Sequence, residues 1–171
     1  MPWRETKNPY YIWLSEIILQ QTQVKQGLPY YEAFVSKFPS VFDLANANES
    51  DVLKLWQGLG YYSRARNLHT SAKYVANELN GVFPNNYKDI LKLKGVGDYT
   101  ASAIASICFN EVTAVVDGNV YRVLSRYFNI DTPINSSKGA KEFKTLAQKL
   151  IDYDPSVNNG NWQWAASTGC D

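Results

Sequence analysis

The most regular hydrophobic pattern in the chain follows a glycine turn near its middle. After Gly95-Val96-Gly97, small and apolar side chains recur at three- and four-residue steps over 101–108, which predicts a buried helix. A shorter helix is predicted before the turn, over 86–91. Because glycine takes such a turn without a Cβ penalty, the two helices are expected to form a tight hairpin.

The hairpin leaves the first N–H groups of its second helix pointing outward, where an anion such as a DNA phosphate can bind. We interpret residues Lys94 to Gly97 as a helix-hairpin-helix DNA clamp. The alternative is an ordinary glycine-rich turn between two core helices.

Helical spacing also dominates the rest of the chain, and alternating strand patterns are nearly absent, so we predict an all-α fold. The further predicted helices cover about 10–24, 29–37, 42–45, 52–56, 63–79, 118–128 and 138–151. Connectors are expected at 58–62 and 111–116. From residue 152 onward the helical pattern gives way to Asn, Gly and Trp.

Composition restricts the kind of protein and the way it meets its partners. The 171 residues are 45% hydrophobic and 14% aromatic, which is typical of a folded domain. The net charge of +1 provides no global basic field, so nucleic acid would be bound through local patches and backbone amides. Two cysteines supply neither a disulfide framework nor a four-thiolate metal site.

Glu16 is the first candidate for chemistry, in the middle of the helix predicted over 10–24. Its neighbours on the same helix face carry no positive charge: Ile12, Trp13, Leu19 and Gln20. A carboxyl group among apolar side chains favours its protonated form, as a general acid requires. The alternative is an exposed helical glutamate.

Asp117 is the second candidate, between the apolar run 114–116 and the helix predicted over 118–128. Capping that helix is a common role for aspartate at such a position. Paired with Glu16, however, a second carboxylate suggests cleavage of a glycosidic bond. One group would protonate the leaving group and the other would stabilise the sugar cation.

A cationic segment with interleaved aromatics covers 61–73 and contains no acidic residue. Such a segment either stacks on bases and contacts phosphates or forms a solvated helix face. Its aromatic and basic members are Tyr61, Tyr62, Arg64, Arg66, His69 and Lys73.

Five motifs occur in order over about 1–150: Pro2-Trp3-Arg4, Trp13 to Val24, Gly58 to Leu68, the hairpin, and Val116 to Val120. Together they resemble the adenine-specific DNA glycosylases of the MutY type, in the helix-hairpin-helix glycosylase superfamily. The resemblance implies a glycosylase domain over 1–151, truncated at both ends, with a six-helix barrel core over 24–130 and an incomplete second lobe.

The same resemblance implies a role for each candidate. Glu16 would protonate adenine mispaired with 8-oxoguanine or guanine, and Asp117 would stabilise the sugar cation, with Asn119 and Tyr99 in support. Bifunctional relatives carry a Schiff-base lysine at the position of Tyr99. Because a phenol cannot form that adduct, we expect a monofunctional hydrolase.

The residues implied to contact DNA are Arg4, Gln21, Thr22, Leu59, Gly60, Tyr61, Arg64, Lys94, Gly95, Val96 and Gly97. The expected partner is double-stranded DNA containing an adenine mispair. We further expect a monomer in the bacterial cytoplasm, at the nucleoid, with no membrane association.

Two departures from the family pattern bear on function. The family carries an iron–sulfur cluster on four cysteines that this chain lacks, so we expect no cofactor and no metal. In addition, residues 152–171 resemble a flavin-site segment of DNA photolyases and cryptochromes. This segment is the one feature of the chain that suggests a flavin protein.

We interpret residues 152–171 as a fragment that replaces the helix closing the adenine pocket. Glu16 is then expected to be better solvated than in a closed pocket, with a pKa nearer the free value of about 4.3. The competing interpretation is therefore a module that binds DNA without cutting it.

Overall fold

The computed structural model describes residues 2–153, apart from the side chain of Arg4, and within them every regular element is helical. A 3-10 helix, Pro2–Arg4, comes first. The α-helices are α1 Pro9–Leu19, α2 Val24–Lys37, α3 Val41–Asn46, α4 Glu49–Leu55, α5 Ser63–Glu78, α6 Tyr87–Ile90, α7 Asp98–Phe109, α8 Gly118–Phe128 and α9 Ser137–Tyr153. The predicted all-α class is confirmed.

Two predicted helix boundaries differ from the structure. Helix α1 ends at Leu19 instead of continuing to 24, because Gln21 takes a left-handed backbone conformation with φ of 55°. Helix α2 begins at Val24 and contains Pro29 in its interior, where we expected Pro29 to open the helix. Proline has no N–H group, so one backbone hydrogen bond of α2 is missing at this position.

Buried apolar residues form two cores. The larger draws on the 3-10 helix and on α1 to α7, and α1 lies near its centre. The smaller contains Ala114, Val120, Leu124, Phe143, Ala147 and Ile151. We call residues 2–109 the large lobe and residues 112–153 the small lobe. In this division α1 belongs to the large lobe and α8 to the small one, and the barrel core expected over 24–130 stays a prediction.

Helix α9 is hydrogen-bonded to the segment before Asp117. The Gln148 side chain accepts a hydrogen bond from the Ala114 N–H at 2.8 Å and donates one to the Val112 carbonyl at 2.9 Å. The same helix reaches the large lobe through Lys144, which donates to Asp98 at 2.6 Å and to Ser102 at 3.0 Å.

No helix within residues 2–153 is long and apolar enough to cross a membrane. The photolyase-like segment lies outside the described residues, except that Asp152 and Tyr153 form the last part of α9.

We predict that Gln148→Ala destabilises the chain by about 1–3 kcal/mol, because it leaves the buried Ala114 N–H without its acceptor. Urea denaturation measures the effect. Lys149→Ala is the matched control, since Lys149 is the exposed neighbour on the same helix. Equal free energies of unfolding for the two variants would contradict a stabilising role of the hydrogen bond between Ala114 and Gln148.

Candidate active site

Glu16 lies on α1 between the buried residues Ser15 and Ile17, and its own surface is half-buried. Burial raises the pKa of its carboxyl group to about 7. The pKa is raised, as the apolar neighbours of Glu16 on α1 predict, and it lies well above the free value of about 4.3. A substantial fraction of Glu16 is protonated at neutral pH.

Asp117 is the N-cap of α8, as its position in the sequence predicts. One carboxylate oxygen accepts hydrogen bonds from the N–H groups of Asn119, at 2.9 Å, and Val120, at 2.8 Å. These two bonds fix the orientation of the carboxylate. The Asn119 side chain accepts a hydrogen bond from Arg122.

Tyr99 is the side chain on which both carboxyl groups act electrostatically. It lies in the first turn of α7 and is 41% exposed. Burial raises the pKa of its phenol, and the charges of Glu16 and Asp117 raise it further. Both carboxyl groups therefore act electrostatically on Tyr99. Three of the residues predicted to be catalytic stand on α1, in the first turn of α7 and at the N-cap of α8.

Cys108 on α7 is a further group on which Glu16 acts electrostatically. Burial and the charge of Glu16 raise the pKa of its thiol to about 12, with a smaller opposing effect of Lys7. The thiol is therefore neutral at physiological pH. The two residues lie on different helices, so spacing along the chain gives no signal of this effect.

The hairpin places its two glycines in different environments. Gly95 has a φ of 81°, and a Cβ there would lie 2.7 Å from the Cβ of Asn67. Gly97 caps α7 without a side-chain hydrogen bond, and a Cβ there would meet no atom within 4 Å. Gly95 is thus required by the fold, whereas Gly97 leaves open space before the N–H groups of α7.

The side chains beside these glycines complete the hairpin. Val96 is buried and anchors the turn in the large core, while Lys94 is exposed. The Lys94 carbonyl accepts a hydrogen bond from the Ser71 hydroxyl at 3.0 Å. Asp98 adds a negative charge to the first turn of α7, but Lys144 and the Tyr87 hydroxyl both donate to its carboxylate.

Two turns at the end of α1 and before α5 carry the other predicted DNA contacts. Gln21 is exposed and Thr22 half-buried, and the Thr22 hydroxyl donates to the Gln20 carbonyl at 3.3 Å. In the second turn, Gly60 has a φ of 71° and Tyr61 is 71% exposed. Leu59, also implied to contact DNA, has its side chain buried in the large core.

Arg64, which the resemblance implies to contact DNA, makes several contacts within the protein. Its guanidinium donates to the carbonyls of Ile17, Ile18, Gln20 and Leu59, and lies over the rings of Trp56 and Tyr61. Its DNA contact stays a prediction. Arg4 belongs to the 3-10 helix, and its side chain lies outside the described part of the chain.

The residues present do not fit an iron–sulfur cluster, because four thiolates are needed and the chain has two cysteines. Over residues 2–153, no cluster of three or more His, Cys, Asp or Glu side chains is arranged to hold a metal ion.

We predict that Gly95→Ala lowers the free energy of unfolding by about 1–2 kcal/mol or more, from its left-handed backbone and from the collision with Asn67. Gly97→Ala is the matched control and should unfold like the wild type, since its Cβ enters open space. Thermal and urea denaturation measure both variants. Equal destabilisation by the two substitutions would contradict the different environments of Gly95 and Gly97.

Comparison with known proteins places this arrangement in a family. Residues 14–151 match the HhH-GPD superfamily base excision DNA repair protein model. The chain is 50% identical over 161 residues to the adenine DNA glycosylase of Buchnera aphidicola subsp. Baizongia pistaciae, covering 94% of this chain and 44% of that protein. It is 45% identical over 161 residues to the adenine DNA glycosylase of Rattus norvegicus, covering 89% of this chain and 31% of that protein.

Solved structures agree with the family match. A thermostable thymine-DNA glycosylase superposes with a TM-score of 0.81 at 32% identity, over 93% of this chain and 73% of that one. A trapped endonuclease III–DNA covalent intermediate shares the fold, with a TM-score of 0.77 at 21% identity, over 89% of this chain and 70% of that one. The chain spans less than half the length of the curated relatives described above. By its sequence, its helices and its hairpin, the chain belongs to the HhH-GPD superfamily of base excision DNA repair proteins.

Proposed function

We propose that this chain carries the catalytic residues of a monofunctional adenine DNA glycosylase. The reaction would be hydrolysis of the N-glycosidic bond of adenine mispaired with 8-oxoguanine or guanine. The observation that carries the proposal is a pair of carboxyl groups in unlike environments, both of which act electrostatically on Tyr99. Glu16 has a pKa raised to about 7 by burial, whereas backbone N–H groups orient the carboxylate of Asp117. The adenine DNA glycosylases among its relatives support the choice of base.

The two carboxyl groups suit the two halves of the reaction. Protonated Glu16 donates its proton to the adenine ring, so that the base leaves with the electrons of the glycosidic bond. Asp117 stabilises the positive charge that develops on the sugar. Water then adds to the anomeric carbon and loses a proton, which completes the hydrolysis.

The target base must leave the stack before Glu16 can reach it. Gln21 and Tyr61 are exposed on the two turns near the site and are suited to fill the space that the base vacates. At Tyr99, the phenol offers no amine for a Schiff base, so excision proceeds without strand cleavage. The proposed partner is double-stranded DNA, bound by one copy of the chain.

We expect Glu16→Gln to lower the excision rate by about 10²–10⁴-fold, because the amide has no proton to donate. Single-turnover excision from an adenine:8-oxoguanine duplex measures this loss, with duplex affinity unchanged. Glu32→Gln is the matched control, an exposed glutamate on α2. Excision by the wild type should decline as the pH rises through about 7, where Glu16 loses its proton.

Normal excision by Glu16→Gln would remove Glu16 from the mechanism. A wild-type chain that binds the duplex and never releases adenine would instead support the alternative of DNA binding without catalysis.

The hairpin is proposed to hold a DNA phosphate on the N–H groups of α7, in the open space beside Gly97. We therefore expect Gly97→Ala to weaken binding to matched and mismatched duplexes alike while the chain stays folded. Fluorescence anisotropy with both duplexes measures the two affinities. A change in base preference at constant affinity would contradict a phosphate site.

A further inference from the structure

The end of α1 is closed by a side chain from another helix. The last carbonyls of a helix have no partner within it, and a cation is favourable there. Arg64, at the second position of α5, donates to the carbonyls of Ile17 and Ile18 at 3.4 Å, and to that of Gln20. One side chain therefore satisfies the end of the helix that carries Glu16.

The same guanidinium holds the turn before α5. It donates to the Leu59 carbonyl at 3.3 Å and lies 5.8 Å from the centre of the Tyr61 ring. It also lies 5.2 Å from the centre of the Trp56 ring, whose Nε1 donates to the Gly60 carbonyl at 2.9 Å. Arg64 thus joins residues 17–20 to residues 56–61.

Both turns need such support because each contains a strained residue. Gln21 has a φ of 55° and Tyr61 a φ of 46°, and neither is glycine. A left-handed conformation costs an ordinary residue about 1–2 kcal/mol, so the surroundings must hold it in place. The contacts of Arg64 lie directly beside both residues.

We propose that Arg64 is a positioning residue for base excision. By fastening the end of α1 to the turn at 58–62, it holds Gln21 and Tyr61 at a fixed separation beside Glu16. The extruded nucleotide is then met by two prearranged turns. This inference rests on the proposed glycosylase function, and it replaces the phosphate contact that the sequence predicts for Arg64.

Two variants of Arg64 test the proposal. Arg64→Lys keeps the positive charge but cannot bridge two backbone segments with a planar fork, whereas Arg64→Met keeps the apolar stem alone. Arg126→Met is the matched control for loss of a positive charge, because Arg126 is exposed on α8. Single-turnover rates are measured at a saturating protein concentration. The assay temperature is kept well below the lowest melting temperature among the wild type and its three variants.

We expect both Arg64 variants to lower the saturating excision rate by about 10²-fold, as small displacements of reacting groups do. Affinity for undamaged duplex and its dependence on salt should stay at the wild-type values. Placing 2-aminopurine at the adenine position gives a second readout, since its fluorescence rises on extrusion without requiring cleavage. The variants should extrude it less than the wild type.

Two results would overturn the positioning role. Wild-type rates in Arg64→Lys, together with a salt slope reduced by about 1 in Arg64→Met, would show a phosphate contact. A lower melting temperature with an unchanged saturating rate would show a structural role alone. Should Arg64→Met not fold, the rate and fluorescence of Arg64→Lys decide the question.

A failure of the proposed glycosylase function would give a different result from a failure of the positioning role of Arg64. A wild-type chain that extrudes 2-aminopurine without releasing adenine would contradict the glycosylase function. Reduced extrusion in Arg64→Lys would still support the role of Arg64 in that case.

Discussion

The burial of α1 is the constraint on which the rest of the molecule depends. Seven of its eleven residues are buried, so the helix is surrounded by protein on most of its sides. The same packing removes water from around Glu16 and raises its pKa. The apolar contacts that build the large lobe therefore also prepare an acid that is protonated near neutral pH.

The site is assembled mainly from helix ends. The end of α1 is satisfied by Arg64, the start of α7 faces open space beside Gly97, and the start of α8 is capped by Asp117. Helix ends carry unpaired backbone groups, which bind charged partners and orient them at little entropic cost. Among the three, the start of α7 is the helix end that faces open space, and an anion would be favoured there.

Features set by neighbouring residues could be predicted from the sequence. Helix α8 runs over the predicted 118–128, and Asp117 caps it, because both the cap signal and the apolar periodicity are local. The backbone contacts of Arg64 could not be predicted, because three of its acceptors lie more than forty positions away along the chain at Ile17, Ile18 and Gln20. The raised pKa of Glu16 could be predicted, since the apolar neighbours that favour its protonated form lie on the same helix.

The division into two cores has a consequence for cooperativity. Glu16 belongs to the large lobe, while Asp117 stands on a connector held by Gln148 against the small core. A state in which only the small lobe has opened would keep the acid and the hairpin but would lose the placement of Asp117. A ligand in contact with both carboxyl groups would penalise that state and would link the unfolding of the two cores. Occupancy of the site would thus make two separately packed regions melt as one.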